Sequence, residues 1–315
     1  MLVWILFIGL VLVFLALDLG VFHKHEHIIK SKEASIWTAI WVTVALGFSG
    51  VIYWLFSNGL VDNPNQLTPN NAVLKYITGY LIELSLSIDN IFVIAVIFST
   101  YKIPPLYQHR VLFWGIIGAI VFRGLTILFG VALINHFDWI IYVFGGFLLF
   151  TAFKMLKGES EDYDPSKSFV FRQVQKIYPI TGKIDSHHFF VKHNGVKAAT
   201  PLFIALIIIE ITDILFALDS IPAILAITSD PFIVFSSNIL AILGLRSMYF
   251  LLSRMLQKFR FINYSLVVIL AFVGLKMIFS HNIELPEILS LAVISLSLIV
   301  GIVASRLIPE TKKDQ

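Results

Sequence analysis

Nine stretches of roughly 20 mostly apolar residues run through this chain, and that is the length a helix needs to cross the hydrocarbon core of a bilayer. They lie at about 2–22, 35–57, 73–99, 111–133, 138–156, 201–228, 231–253, 261–280 and 287–307. Composition agrees. Of 315 residues, 58% are hydrophobic and 14% charged, against roughly 45–50% and about 25% in soluble proteins. The expected fold is therefore an all-α polytopic membrane protein with about nine transmembrane helices. The first stretch lacks a basic leader and a small-residue cleavage site, and Asp18 interrupts its end, so a retained helix is expected rather than a cleaved signal.

The basic residues set an orientation. Eighteen of the 23 Lys and Arg fall after the odd-numbered stretches or at the end of the chain, and Lys75 is alone in the even-numbered loops. By the positive-inside rule the N-terminus is expected outside and the C-terminus in the cytoplasm. The long loop at 157–200 then faces the cytoplasm. Within it, Asn194-Gly195 between short alternating segments predicts a small β hairpin. The chain has no cysteine, which excludes disulfides and thiolate metal sites. A net charge of +3 gives no sign of a nucleic-acid partner. The expected partner is the lipid bilayer.

The polar residues inside the apolar stretches form an internal repeat. LIELSLSIDNIFV aligns with IEITDILFALDSIPAI so that Glu83 falls on Asp213, Asp89 on Asp219 and Asn90 on Ser220. Further on, GAIVFRG aligns with AILGLRS, setting Arg123 on Arg246, and LLFTAFKM aligns with LAFVGLKM, setting Lys154 on Lys276. Each copy spans three predicted helices, at 72–156 and 201–280. An odd number of spans forces the two copies into opposite orientations, an arrangement that recurs in secondary transporters with the binding site where the copies meet. Stretches 1–57 and 287–307 fall outside the repeat.

A charged residue at the centre of a membrane helix costs roughly 2.5–3.5 kcal/mol on insertion scales, so ten of them call for a function. The acids are Asp18, Glu83, Asp89, Glu210, Asp213 and Asp219; the bases are Arg123, Lys154, Arg246 and Lys276. Lys154 and Lys276 lie towards helix ends, where they can snorkel to the surface. On a straight helix Glu83 and Asp89 diverge by about 120°. One ion therefore needs an acid from the other copy, or a helix unwound at Asp89. Pro222 leaves the carbonyl of Leu218 without its helical donor beside Asp219, a hint of unwinding in the second copy. The donors on offer, carboxylates with Asn90, Thr212 and Ser220, are hard oxygens that suit Mg²⁺, Ca²⁺ and Mn²⁺. The cluster His23 to His27 reads as a basic interfacial loop, and Asp18 as part of an inner gate or cap.

These motifs resemble the TerC integral membrane family, named for tellurium resistance and including Alx-like members. The carrying residues are FLALDLGVFHKHEH, ELSLSIDNIFV and TPLFIALIIIEITDILFALDSIPAI, with Arg246 following. The resemblance spans about residues 10–307. It implies a multi-pass protein of the bacterial inner membrane that exports manganese, with Ca²⁺ the nearest alternative cargo and a non-transporting role in tellurite resistance or membrane-protein biogenesis the rival reading. Carried over by motif, Asp89 and Asp219 would be the core ion-binding residues, with Glu83, Asn90, Glu210, Asp213 and Ser220 in support. Arg123 and Arg246 would stabilise the acids when no ion is bound. No resident cofactor is expected. Neither is an enzyme, because the residues before Asp89 and Asp219 (Ser-Ile and Ala-Leu) do not resemble those of intramembrane aspartyl proteases.

Overall fold

The structure, a computed structural model, describes residues 1–22, 31–137, 139–157, 188–193, 196–253, 261–279 and 286–307. The described residues form helices α1 (Leu2–Phe22), α2 (Ser31–Ser57), α3 (Pro69–Thr100), α4 (Pro105–His136) and α5 (Ile140–Leu156). After strands β1 (Phe190–His193) and β2 (Val196–Ala199) come α6 (Pro201–Leu225), α7 (Pro231–Leu243), α8 (Leu245–Leu252), α9 (Ile262–Phe279) and α10 (Glu287–Leu307). Each of the nine apolar stretches is helical. Five helices (α2, α3, α4, α6 and α10) are long and apolar enough to cross a membrane, while α1, α5 and α9 are shorter apolar helices.

Local chemistry fixes the helix starts. Thr68 caps α3 by accepting from Asn71 N at 3.3 Å, and Pro69 takes the first helical position, where its missing N–H costs nothing. Asp230 does the same for α7, accepting from Phe232 N at 3.0 Å and Ile233 N at 2.9 Å ahead of Pro231. The expected hairpin is present as an antiparallel pair in which His193 faces Val196. Its predicted turn, Asn194-Gly195, lies outside the described residues, as do His23 to His27 and most of the 157–200 loop.

One expectation needs correcting. The stretch 231–253 is not a single straight helix: α7 and α8 meet at Gly244 with a bend of 43°. Glycine weakens a helix, and here α2 packs against the bend, with the Gly244 Cβ position 3.4 Å from Trp41 Cβ. Nor does either acidic helix unwind. The α3 backbone stays helical through Asp89, and α6 through Asp219 and Pro222.

Packing follows a pattern. α3 lies against α7 and α6 against α4, α3 touches α6, and α5 crosses α9. At that last crossing a Cβ on Gly145 or on Gly274 would lie 3.0 Å from the other's carbonyl oxygen, so the backbones are in contact. Small residues of this kind let membrane helices approach when lipid offers no hydrophobic drive. α1 and α2 pack on α7 and α8 through an aromatic cluster in which Phe7, Phe48, Trp41 and Phe232 are buried. Large apolar side chains such as Leu6, Phe129, Phe150 and Leu296 are exposed, as a lipid-facing surface requires.

Candidate functional site

The polar centre of the bundle is built around Arg123, which is 1% exposed. It reaches from α4 into the space between α3 and α6. There its Nη1 donates to Glu83 Oε1 of α3, while Nε and Nη2 hold Asp213 of α6 in a fork at 3.4 Å and 3.1 Å. Two-pronged pairing of this kind fixes direction as well as charge. Nη1 also lies 3.2 Å from Asn238 Oδ1 of α7 and 3.5 Å from Ser220 Oγ of α6. Asn90 Nδ2 of α3 donates to Asp213 Oδ1 at 3.4 Å, and Ser87 Oγ donates to Glu83 at 3.5 Å.

The structure thus brings together Glu83, Asp213, Asn90, Ser220 and Arg123. Glu83 and Asp213 are the two acids that the repeat alignment sets on each other, one from each copy. The cluster carries two carboxylates for one guanidinium. In a low-dielectric interior such an imbalance is expensive, and the geometry, with both acids on one base, limits the cost.

Other predicted residues go elsewhere. Glu210 lies on α6, one turn before Asp213, with its carboxylate laid against Gly118 of α4, where any side chain would collide with it. Arg246 does not join the acids. It pairs with Asp18 of α1, Nη2 donating to the carboxylate and, at 3.0 Å, to the Asp18 carbonyl. The expected role for Arg246 at the repeat's acids is therefore corrected for this conformation, because the bend at Gly244 precedes Arg246 and its bound acid lies outside the repeat. Lys276 donates to Ser290 of α10 at 2.9 Å, and Lys154 is exposed near the end of α5. The side chains of Asp89 and Asp219 lie outside the described residues. Among the described residues no group of three or more His, Asp or Glu forms a metal-ligand cluster.

Two features escaped sequence reasoning. Asn238 is fully buried and bonded to Arg123; the one available signal was a polar residue at the middle of an apolar stretch. The second is a cavity of ≈ 30 Å³ beside the cluster, room for a water or two. Asn90, Thr212 and Asp213 give it a polar end. From there it runs between Ile94, Gly115, Ile209 and Leu245 towards the end of the bundle that carries the α3–α4 turn. Asn90 Oδ1 and Glu210 Oε2 are buried without a hydrogen-bond partner among the described residues. A cation replacing Arg123 would meet carboxylate, amide and hydroxyl oxygens alone.

Comparison with known proteins agrees with this architecture. The sequence profile of the Integral membrane protein TerC family matches residues 68–313. A membrane protein of Myxococcus xanthus is 48% identical over 315 residues, covering 99% of this chain and 95% of that one. A protein of Escherichia coli (strain K12) that is named membrane-bound redox modulator Alx is 42% identical over 294 residues, covering 93% and 90%. A membrane protein of Rickettsia bellii is 41% identical over 302 residues, covering 96% of each chain. No solved structure matches the chain. A match over most of the length, on a helical bundle with buried acids at its centre, leads to one assignment: the chain belongs to the TerC family of integral membrane proteins.

Proposed function

We propose that the protein is a transporter, not an enzyme, which exports a divalent cation, foremost Mn²⁺, from the bacterial cytoplasm across the inner membrane. It works by alternating access in exchange for protons. One observation carries the reading: Glu83 and Asp213, acids from the two copies, converge on Arg123 beside a cavity with a polar end. In the arrangement seen, Arg123 is a built-in counter-ion for the acids. The incoming cation displaces the guanidinium and takes over the carboxylates, with Asp89 and Asp219 as its principal ligands and Asn90, Ser220 and Glu210 in support. Protons arriving from outside discharge the acids and release the cargo. Oxygen donors alone suit Mn²⁺ and also admit Ca²⁺; the family resemblance favours Mn²⁺.

The cavity runs towards the end of the bundle that the distribution of basic residues assigns to the cytoplasm, the side from which an exporter loads. The test is manganese tolerance. Cells that depend on this protein to survive added Mn²⁺ should lose that protection, and accumulate the metal, when it carries Asp89→Asn or Asp219→Asn. Protection equal to wild type in both variants would remove the mechanism.

A further inference from the structure

The two halves of the bundle differ at matching positions, and the difference has a direction. The register that sets Asp89 on Asp219 also sets Ile94 on Ile224 and Gly79 on Ile209, and the register that sets Arg123 on Arg246 sets Gly115 on Asn238. Ile94, Ile209 and Gly115 line the cavity. Their counterparts are packed shut. A Cβ on Gly79 would lie 2.8 Å from Ile224 Cδ1 and 3.1 Å from Ser237 Oγ. Where Gly115 lines the cavity, its Cβ position 3.5 Å from Ile209 Cγ2, Asn238 holds the Arg123 guanidinium.

The polar ends match as well. Asn90 and Asp213 face the cavity, Asp213 being held there by Arg123 Nε and Nη2, while their counterparts Ser220 and Glu83 both meet Arg123 Nη1. Arg123 therefore fills the half that carries Ser220 and Glu83 and reaches only Asp213 on the other side. Its counterpart Arg246 is drawn away to Asp18, and the half it would plug is the one that holds the cavity.

We infer that the packed region between Gly79 of α3 and Ile224 and Ser237 of α6 and α7 is the closed second half of the cation pathway. It opens when the two copies exchange arrangements, and the Asp18–Arg246 pair holds the first half open until then. This rests on the alternating-access reading above and adds to it the residues that line the exit. A site between inverted copies needs an access route on each side, and packed interfaces switch between discrete arrangements rather than deforming smoothly.

The chain has no cysteine, so Ile94→Cys and Ile224→Cys each report on one half. Vesicles of both orientations are treated with a small membrane-impermeant thiosulfonate, without added cation. Ile94→Cys should react from the side bearing the α3–α4 turn, and Ile224→Cys from neither side. Gly79→Val drives a side chain against Ser237 Oγ, 3.1 Å from the Gly79 Cβ position, even with cysteine at 224; it should speed Ile224→Cys labelling from the opposite side roughly tenfold and slow Ile94→Cys by a similar factor. Asp18→Asn, which frees Arg246 and leaves the Gly79 packing untouched, should move both rates in the same direction. Equal labelling of both cysteines from one side, or rates unchanged in both variants, overturns the inference. Labelling needs no metal, so that result would leave Mn²⁺ transport standing. Absence of Mn²⁺ flux with the wild-type protein would instead remove the transport reading and leave the labelling pattern as it is.

Discussion

Arg123 and Arg246 fall on each other when the two repeat copies are aligned, both are almost fully buried, and they have different partners. Arg123 holds one acid from each copy, Glu83 and Asp213, at the centre of the bundle. Arg246, just past the bend at Gly244, holds Asp18 on a helix outside the repeat. Equivalent positions in sequence have become a central plug and a peripheral anchor. A repeat that looks symmetric in sequence can thus be held off balance by one added helix.

The largest effect should come from Arg123→Ala. It strands the buried Glu83 and the partly buried Asp213, and breaking a buried pair by removing one partner costs about 3–5 kcal/mol. Thermal unfolding in detergent should show a loss well beyond that of Arg246→Ala, where one acid is stranded; equal losses would mean that the two arginines do the same structural job. Next comes the anchor itself. Arg246→Ala and Asp18→Ala should each destabilise the protein, and the double variant should be more stable than the sum of the two losses predicts, with a coupling of about 0.5–3 kcal/mol. Additive losses would show that the pair is not an energetic unit.

Gly145→Val probes a contact that both copies share. Its side chain meets Ile278 and the Gly274 backbone, so overpacking should cost about 1–3 kcal/mol in the same unfolding assay, whereas Gly146→Val, beside it but in open space, should cost far less. The smallest effect should be Asp230→Ala, which removes the cap of α7 and costs about 0.5–2 kcal/mol. A loss as large as that of Arg123→Ala would give Asp230 a role beyond capping.

Much of the fold was legible because membrane helices announce themselves by length. All nine apolar stretches became helices, and the hairpin followed from Asn194-Gly195 between alternating residues. The acids were legible too, since a carboxylate inside an apolar run stands out, and helical geometry called for either an acid from the other copy or an unwound helix. What remained hidden depends on tertiary packing. Gly244 reads as one glycine among 18, and nothing in the sequence marks it as a bend until Trp41 is seen against it. The partner of Arg246 is 228 residues away on α1, beyond the reach of any local pattern. Asn238 carries no charge, so a search for intramembrane charges passes over it.

The most direct test of the central claim is Mn²⁺ movement by purified protein in liposomes across an imposed pH gradient, with Asp213→Asn beside wild type and Ca²⁺, Mg²⁺ and Zn²⁺ as competitors. The account predicts gradient-driven Mn²⁺ flux by the wild type and its loss in Asp213→Asn protein that remains folded. No flux by the wild type, or equal flux by the variant, would contradict it.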